Sequence, residues 1–204
     1  MNNTVLGILG FLIVHLSDYI SLKRIPLLKP IVWLLGCSVL IYALVKICAT
    51  PEKFSFPVWL IGLGWFFLFI SLSALLYSLF INLPFRKTYV SPGFGDKLIK
   101  TKFYTLARHP GVLFFTIFML SLLIISGSKE LLVVVPIYIL VDIVLVIIQD
   151  KIFFPRMFPG YHLYQQETPM LMPNRRSVDT FIQSIRQTKT TNGLPGGKYH
   201  GIIK

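Results

Sequence analysis

The chain has few acidic residues, few cysteines and few charged residues of any kind. Its 204 residues include 8 Asp or Glu against 20 Lys or Arg, and only 14% of the sequence is charged. Hydrophobic residues make up 54%. Low charge combined with a hydrophobic majority is typical of a polytopic membrane protein and argues against an ordinary soluble enzyme.

The scarcity of cysteine and histidine limits the covalent and metal chemistry of the chain. Cys37 and Cys48 are eleven residues apart in one apolar segment, which at 1.5 Å per residue separates them by about 16 Å along a helix. That is too far for a disulfide. Because no Cys or His cluster has the spacing of a zinc site, no metal site is predicted.

Long apolar runs predict the fold. A membrane span needs roughly 20 mostly apolar residues, and five segments meet or approach that length. They are residues 4–20, 31–48, 57–81, 112–126 and 131–148. The fourth is short and reaches full length only by tilting or by including residues 107–111. The sequence therefore predicts an all-α polytopic membrane bundle of about five transmembrane helices, with a C-terminal segment packed on its cytoplasmic end.

Basic residues predict the orientation of these spans. They are concentrated after the first, third and fifth apolar segments, whereas the opposite loops hold only Lys53 and Lys129, each beside a glutamate. The positive-inside rule then predicts an extracytoplasmic N-terminus and a cytoplasmic C-terminus. The net charge of +12 follows from this topology and from attraction to anionic cytoplasmic lipid, so no nucleic-acid partner is predicted.

Polar residues flank the last two spans at what should be one end of a helical hairpin. Arg108-His109-Pro110 precedes the fourth span, and Gln149-Asp150 follows the fifth. A proline in the first helical turn costs no hydrogen bond and leaves the helix N-terminus ready for an anionic group. Arg108 and Asp150 are expected to face one cleft, where a guanidinium and a carboxylate would clamp a zwitterionic ligand.

Other polar residues lie within the spans. Asp142 is expected to share a helix face with Gln149 and Asp150, either lining a cleft or bonding to a neighbouring helix. His15 and Asp18 are one turn apart near the end of the first span. They are interpreted as a local pair that anchors the helix end, with a proton relay as the alternative.

Between about residue 95 and residue 173, several motifs follow one another at ordered spacing around two spans. They are Tyr104, Arg108-His109-Pro110, Gln149-Asp150, Tyr161, Tyr164, Thr168-Pro169 and Met172-Pro173. In these motifs and their spacing the chain resembles the isoprenylcysteine carboxyl methyltransferase / phospholipid methyltransferase superfamily of integral membrane methyltransferases. The chain departs from the family pattern where Glu-Glu becomes Gln149-Asp150 and where a glycine becomes Phe114.

The resemblance implies S-adenosylmethionine as cofactor and methyl transfer to a lipophilic or small acceptor at the cytoplasmic membrane face. It implies that Arg108 and Asp150 are the catalytic residues, with Arg108 orienting the acceptor or a carboxylate and Asp150 holding the cofactor's ammonium group or ribose. The residues that it implies for cofactor binding are Tyr104, His109, Pro110, Gln149, Tyr161, Tyr164 and Pro169. Two other functions stay open: an NADPH-dependent membrane reductase of the sterol-reductase type, and a catalytically inactive membrane module.

The chain divides into two parts. Residues 1–173 are expected to form the transmembrane methyltransferase-like domain, in which residues 149–173 are the cytoplasmic site segment. Residues 174–204 are expected to form a basic tail with a mobile end. In this tail Val178, Phe181, Ile182 and Ile185 have helical spacing behind Ser177 as N-cap, which predicts a short interfacial helix.

Overall fold

The computed structural model describes residues 2–23, 25, 27–83 and 98–191, with side chains described as far as residue 186. Within these residues the regular secondary structure is helical, without a β-strand. The predicted all-α fold is confirmed. Long apolar segments form helices because a helix satisfies every main-chain polar group inside the segment itself.

The apolar segments form five helices close to the predicted bounds. They are α1 (Asn3–Leu22), α2 (Leu28–Cys48), α3 (Val58–Leu76, continuing as a π-helical segment Tyr77–Asn82), α5 (Pro110–Ser126) and α6 (Glu130–Ile148). The largest difference is at the start of α2, residue 28 against a predicted 31. Short helices complete the fold: α4 (Phe103–Leu106), α7 (Phe154–Met157), α8 (Tyr161–Glu167) and α9 (Arg175–Thr191).

Four of these helices are long and apolar enough to cross a membrane: α1, α2, α3 with its π-helical extension, and α6 with the helical turns that follow it. The fifth, α5, has 17 residues and spans about 26 Å at 1.5 Å per residue. Large apolar side chains are exposed along α3, among them Val58, Trp59, Phe66, Phe69 and Ile70. An exposed apolar surface of this extent is unusual in a soluble monomer, and together these helices indicate a membrane protein.

Two glycines allow α1 and α2 to pack backbone to backbone. A Cβ on Gly36 would lie 2.6 Å from the main-chain nitrogen of Val14, and one on Gly10 would lie 2.9 Å from that of Leu40. Small residues at such a crossing let two membrane helices approach closely. The pair α1–α2 is therefore fixed by close backbone contact.

The apolar core joins α1 and α2 to the α5–α6 hairpin. Its buried residues are Phe11, Leu44, Ile47, Phe115, Met119, Leu131, Val134, Val135 and Tyr138. Phe11 makes edge-to-face contacts with Phe115 and Tyr138, both with ring centroids 5.5 Å apart. The core thereby packs the α5–α6 hairpin against α1.

The turn between α5 and α6 is tied to the connection between α2 and α3. Gly127 ends α5 in the left-handed region, with φ 63°, and its carbonyl accepts a hydrogen bond from the main chain of Phe54 at 2.6 Å. Ser128 is fully buried, and its hydroxyl lies 2.8 Å from that of Thr50. The turn is short, so α5 and α6 form the expected antiparallel hairpin and their other ends meet.

The C-terminal segment packs on that other end of the hairpin. The main-chain N–H groups of Arg108 and His109 donate to the carbonyls of Pro169 and Met170 at 2.9 and 3.0 Å. In addition, the hydroxyl of Tyr164 donates to the carbonyl of Tyr104. The predicted packing of residues 149–173 against the bundle is thus confirmed.

The helix of the tail begins earlier than predicted. Asn174 is the N-cap of α9: its Oδ1 accepts from the N–H of Ser177 at 2.8 Å, and its own N–H donates to the Ser177 hydroxyl at 3.0 Å. The prediction of Ser177 as N-cap is therefore wrong, because Ser177 lies three residues into a reciprocal capping box. The ring of Phe181 stacks on Phe103 of α4 with centroids 5.7 Å apart. Residues 192–204, which include most of the predicted mobile end, lie outside the described residues.

Candidate functional site

The predicted polar residues meet where α5 begins and α6 ends. Pro110 is the first residue of α5, and Arg108 and His109 directly precede it. At the same end of the hairpin, α6 continues into a π-helical turn, Gln149–Phe153, which carries Asp150. The antiparallel hairpin therefore brings together residues that are 42 positions apart in the chain.

Arg108 and Asp150 form a buried bidentate ion pair. Arg108 Nε donates to Asp150 Oδ1 and Nη2 donates to Oδ2, both at 2.8 Å. The two side chains are 9% and 3% exposed. These residues were expected to face one cleft, but they are in direct contact and neutralise each other. In this geometry each buried charge provides hydrogen-bond partners for the other, whereas an isolated buried charge would have none.

Further donors and acceptors surround the pair. Arg108 Nη1 donates to the carbonyls of Gln165, at 3.0 Å, and Thr168. Asp150 accepts from the hydroxyl of Tyr161 at 2.6 Å and from Nε2 of Gln165 at 3.1 Å. Four of the five guanidinium hydrogens are therefore used, and each carboxylate oxygen accepts two hydrogen bonds.

These contacts fix the protonation of the neighbouring groups. Burial opposes the positive charge of Arg108, but the hydrogen bonds and the negative charge of Asp150 outweigh it and raise the Arg108 pKa. Burial, followed by the hydrogen bond to Asp150, raises the pKa of Tyr161 well above its usual value. Tyr161 is thus a neutral hydrogen-bond donor at physiological pH.

His109 has a buried ring nitrogen without a hydrogen bond. Its side chain is 7% exposed, and Nε2 lies 3.4 Å from Asp150 Oδ1 but has no hydrogen-bond partner in the part of the chain that the structure describes. The ring stacks on Phe154 with centroids 5.6 Å apart and an interplanar angle of 12°. This nitrogen therefore lies beside the Asp150 carboxylate without the geometry of a full hydrogen bond.

The remaining predicted residues contribute to this site unequally. Tyr161 and Tyr164 contact edge to face, with centroids 5.8 Å apart. Tyr104 offers its carbonyl to Tyr164, while its own hydroxyl donates to the carbonyl of Ser78 at 3.3 Å, away from Asp150. Pro169 contributes a main-chain carbonyl. The hydroxyl of Tyr104 is therefore not part of the polar cluster around Arg108 and Asp150.

Gln149 lies on another side of the helix from the ion pair. Its Nε2 donates to Oδ2 of Asp18 on α1 at 2.6 Å. Asp142 lies about two helical turns before Gln149 on α6. It interacts electrostatically with His15 of α1. The expected common face of Asp142, Gln149 and Asp150 thus divides: the first two face α1, and Asp150 faces the start of α5. Successive residues of a helix point about 100° apart, so Gln149 and Asp150 face different neighbours.

Gln165 belongs to the cluster but was not among the residues predicted from the sequence. Its side chain donates both to the carbonyl and to the carboxylate of Asp150, at 2.9 and 3.1 Å, and its carbonyl accepts from Arg108. Gln165 lies four residues after Tyr161 on α8, so helical periodicity places both on one face. That spacing was the signal available in the sequence.

The described residues contain no group of three or more His, Cys, Asp or Glu side chains placed to hold a metal ion. Within the described Arg108–Asp150 cluster, Nε2 of His109 and one hydrogen on Nη2 of Arg108 have no hydrogen-bond partner. No family model, curated protein or solved structure matches the chain.

Proposed function

We propose that the protein is an integral membrane methyltransferase that uses S-adenosylmethionine and acts on a lipophilic or small acceptor at the cytoplasmic membrane face. The observation that supports the proposal is that residues distant in the sequence come together in one place. Arg108, His109, Asp150, Tyr161 and the segment after α8 come from distant parts of the sequence and contact one another in a single buried cluster. These are among the residues that carry the methyltransferase resemblance.

The chemistry of this cluster suits an amino-acid ligand such as the methionine part of S-adenosylmethionine. Arg108 matches a carboxylate bidentately, and Asp150 matches an ammonium group. Nε2 of His109, which contacts Asp150 without a full hydrogen bond, would supply a further polar contact. When bound, the cofactor would supply a methyl carbon that bonds to the acceptor's lone pair while the carbon–sulfur electrons return to sulfur, leaving S-adenosylhomocysteine.

Ligand binding would require Arg108 and Asp150 to exchange partners. Each satisfies the other in the structure, and a zwitterion would replace that one ion pair by two. Tyr161 and Gln165 keep the Asp150 carboxylate oriented during such an exchange, because both donate to it independently of Arg108. Methyl transfer from a sulfonium needs positioning more than acid–base chemistry, and a rigid, fully bonded surround provides positioning.

The proposal includes a topology and a lipid partner. The distribution of basic loop residues favours a cytoplasmic location for the Arg108–Asp150 end, where S-adenosylmethionine is available. Beside it, α9 exposes Val178, Ile182 and Ile185 together with Arg175 and Arg176. An apolar stripe flanked by arginines suits the surface of an anionic leaflet.

The test is ligand binding by the purified full-length protein in detergent. We expect S-adenosylhomocysteine to raise the melting temperature, since a ligand that binds only the folded state stabilises it by mass action. Arg108→Lys should reduce this shift, whereas Arg156→Lys, at an exposed position, is the matched control and should retain it. A shift with NADPH in place of S-adenosylhomocysteine would indicate the reductase, and a shift with neither would indicate an inactive module.

A further inference from the structure

The turn that ends α6 directs two consecutive side chains to different helices. In the π-helical segment Gln149–Phe153, the N–H of Phe154 donates to the carbonyl of Gln149, five residues earlier. The amide of Gln149 reaches Asp18 on α1, while the carboxylate of Asp150 reaches Arg108. Such widened turns within α-helices are frequent at functional sites.

Asp18 holds Gln149 in one orientation. The Gln149 Nε2–Asp18 Oδ2 distance is 2.6 Å, and the same Asp18 oxygen lies 3.5 Å from Nδ1 of His15, one turn earlier on α1. The Asp18 and His15 side chains are 17% and 14% exposed. A hydrogen bond between an amide and a carboxylate is charge-assisted and stronger than a neutral one, and partial burial protects it from competition by water.

The turn is therefore held from two sides. From α8, Gln165 donates to both the carbonyl and the carboxylate of Asp150. From α1, Asp18 holds the residue immediately before it. Because one peptide unit links Gln149 to Asp150, a change in the backbone torsions of Gln149 also moves Asp150.

We propose that Asp18 is a positioning residue of the candidate site: by holding Gln149, it fixes the turn that presents Asp150 to Arg108 and Tyr161. The inference rests on the proposed function, since it assigns Asp18 a role in ligand binding by that site. It also makes a structural statement, the coupling of Asp18 to the conformation of residues 149–157, which can be tested separately.

Reversing the polarity of the hydrogen bond tests the coupling. Gln149→Glu removes the donor and sets a carboxylate against Asp18, so the turn should shift and the dissociation constant for S-adenosylhomocysteine should rise about tenfold, within the range for coupled contacts. Adding Asp18→Asn supplies a side-chain amide that donates to the new carboxylate. The double variant should return to within about threefold of wild-type affinity.

A neutral variant guards against failure to fold. Gln149→Met removes the donor without adding charge, and its affinity should fall by a smaller factor that Asp18→Asn does not restore. Melting temperatures of all variants without ligand give the structural contribution in parallel. If Gln149→Glu has a lowered melting temperature but wild-type affinity for S-adenosylhomocysteine, or if the double variant binds no better than the single one, the positioning role is wrong.

Hydrogen exchange separates the two proposals. If wild-type protein does not bind S-adenosylhomocysteine, the methyltransferase proposal fails, and the positioning is then read from amide exchange in residues 149–157. Faster exchange in Gln149→Glu that the double variant reverses supports the role of Asp18. Unchanged exchange in Gln149→Glu overturns it.

Discussion

Replacing Arg108 with lysine should destabilise the protein although the charge is kept. Arg108 makes two 2.8 Å hydrogen bonds to Asp150 and two to the main-chain carbonyls of Gln165 and Thr168. An ammonium group has three donors on one atom and lacks the planar fork. It cannot satisfy both carboxylate oxygens and both carbonyls at once.

The magnitude follows from the bonds that are lost. Hydrogen bonds to charged groups contribute about 1.5–3 kcal/mol each, and lysine would lose one or two of them while partly compensating for the rest. The Arg108 side chain is 9% exposed, so solvent screening reduces the effect little. We therefore expect Arg108→Lys to lower the free energy of unfolding by about 2–4 kcal/mol.

The measurement is unfolding of the full-length protein by sodium dodecyl sulfate in mixed micelles, followed by circular dichroism. Arg156→Lys makes the same chemical change at an exposed position of α7 and should stay near wild type. If Arg108→Lys lies within about 0.5 kcal/mol of wild type, the range of ordinary surface substitutions, the bidentate pair does not stabilise the folded protein and the reasoning is refuted.

Three further predictions concern packing, topology and the tail. Gly36→Ala should lower the free energy of unfolding by about 1–3 kcal/mol, because its Cβ would meet the backbone of α1 at 2.6 Å, whereas Gly62→Ala has open space and should be neutral. In intact cells of a cysteine-free background, an impermeant thiol reagent should label Glu52→Cys but not Arg176→Cys, and the reverse pattern would invert the proposed orientation. Asn174→Ala should destabilise α9 by about 1 kcal/mol through loss of its cap, seen as faster amide exchange in residues 175–186 only.

The sequence was sufficient for the long helices and for the approximate location of the site. Span bounds could be read from it because hydrocarbon thickness sets the length of an apolar run, and that length is a local property of the chain. Arg108 and Asp150 could be brought to one end of the bundle because residues 126–130 are too few to allow anything other than an antiparallel hairpin. Both inferences need only segment lengths and turn chemistry.

The partners of each polar side chain were decided by tertiary structure. That Arg108 contacts Asp150 directly, that Gln149 turns to Asp18, and that the carbonyls of Gln165 and Thr168 accept from Arg108 all depend on contacts between distant segments. The π-helical turn after α6 alters the helical register on which sequence periodicity relies. Composition and run length alone therefore determine a membrane helical bundle with a polar end, whereas the pairing of its charges depends on the relative position of α1, the α5–α6 hairpin and α8, which only the packed structure fixes.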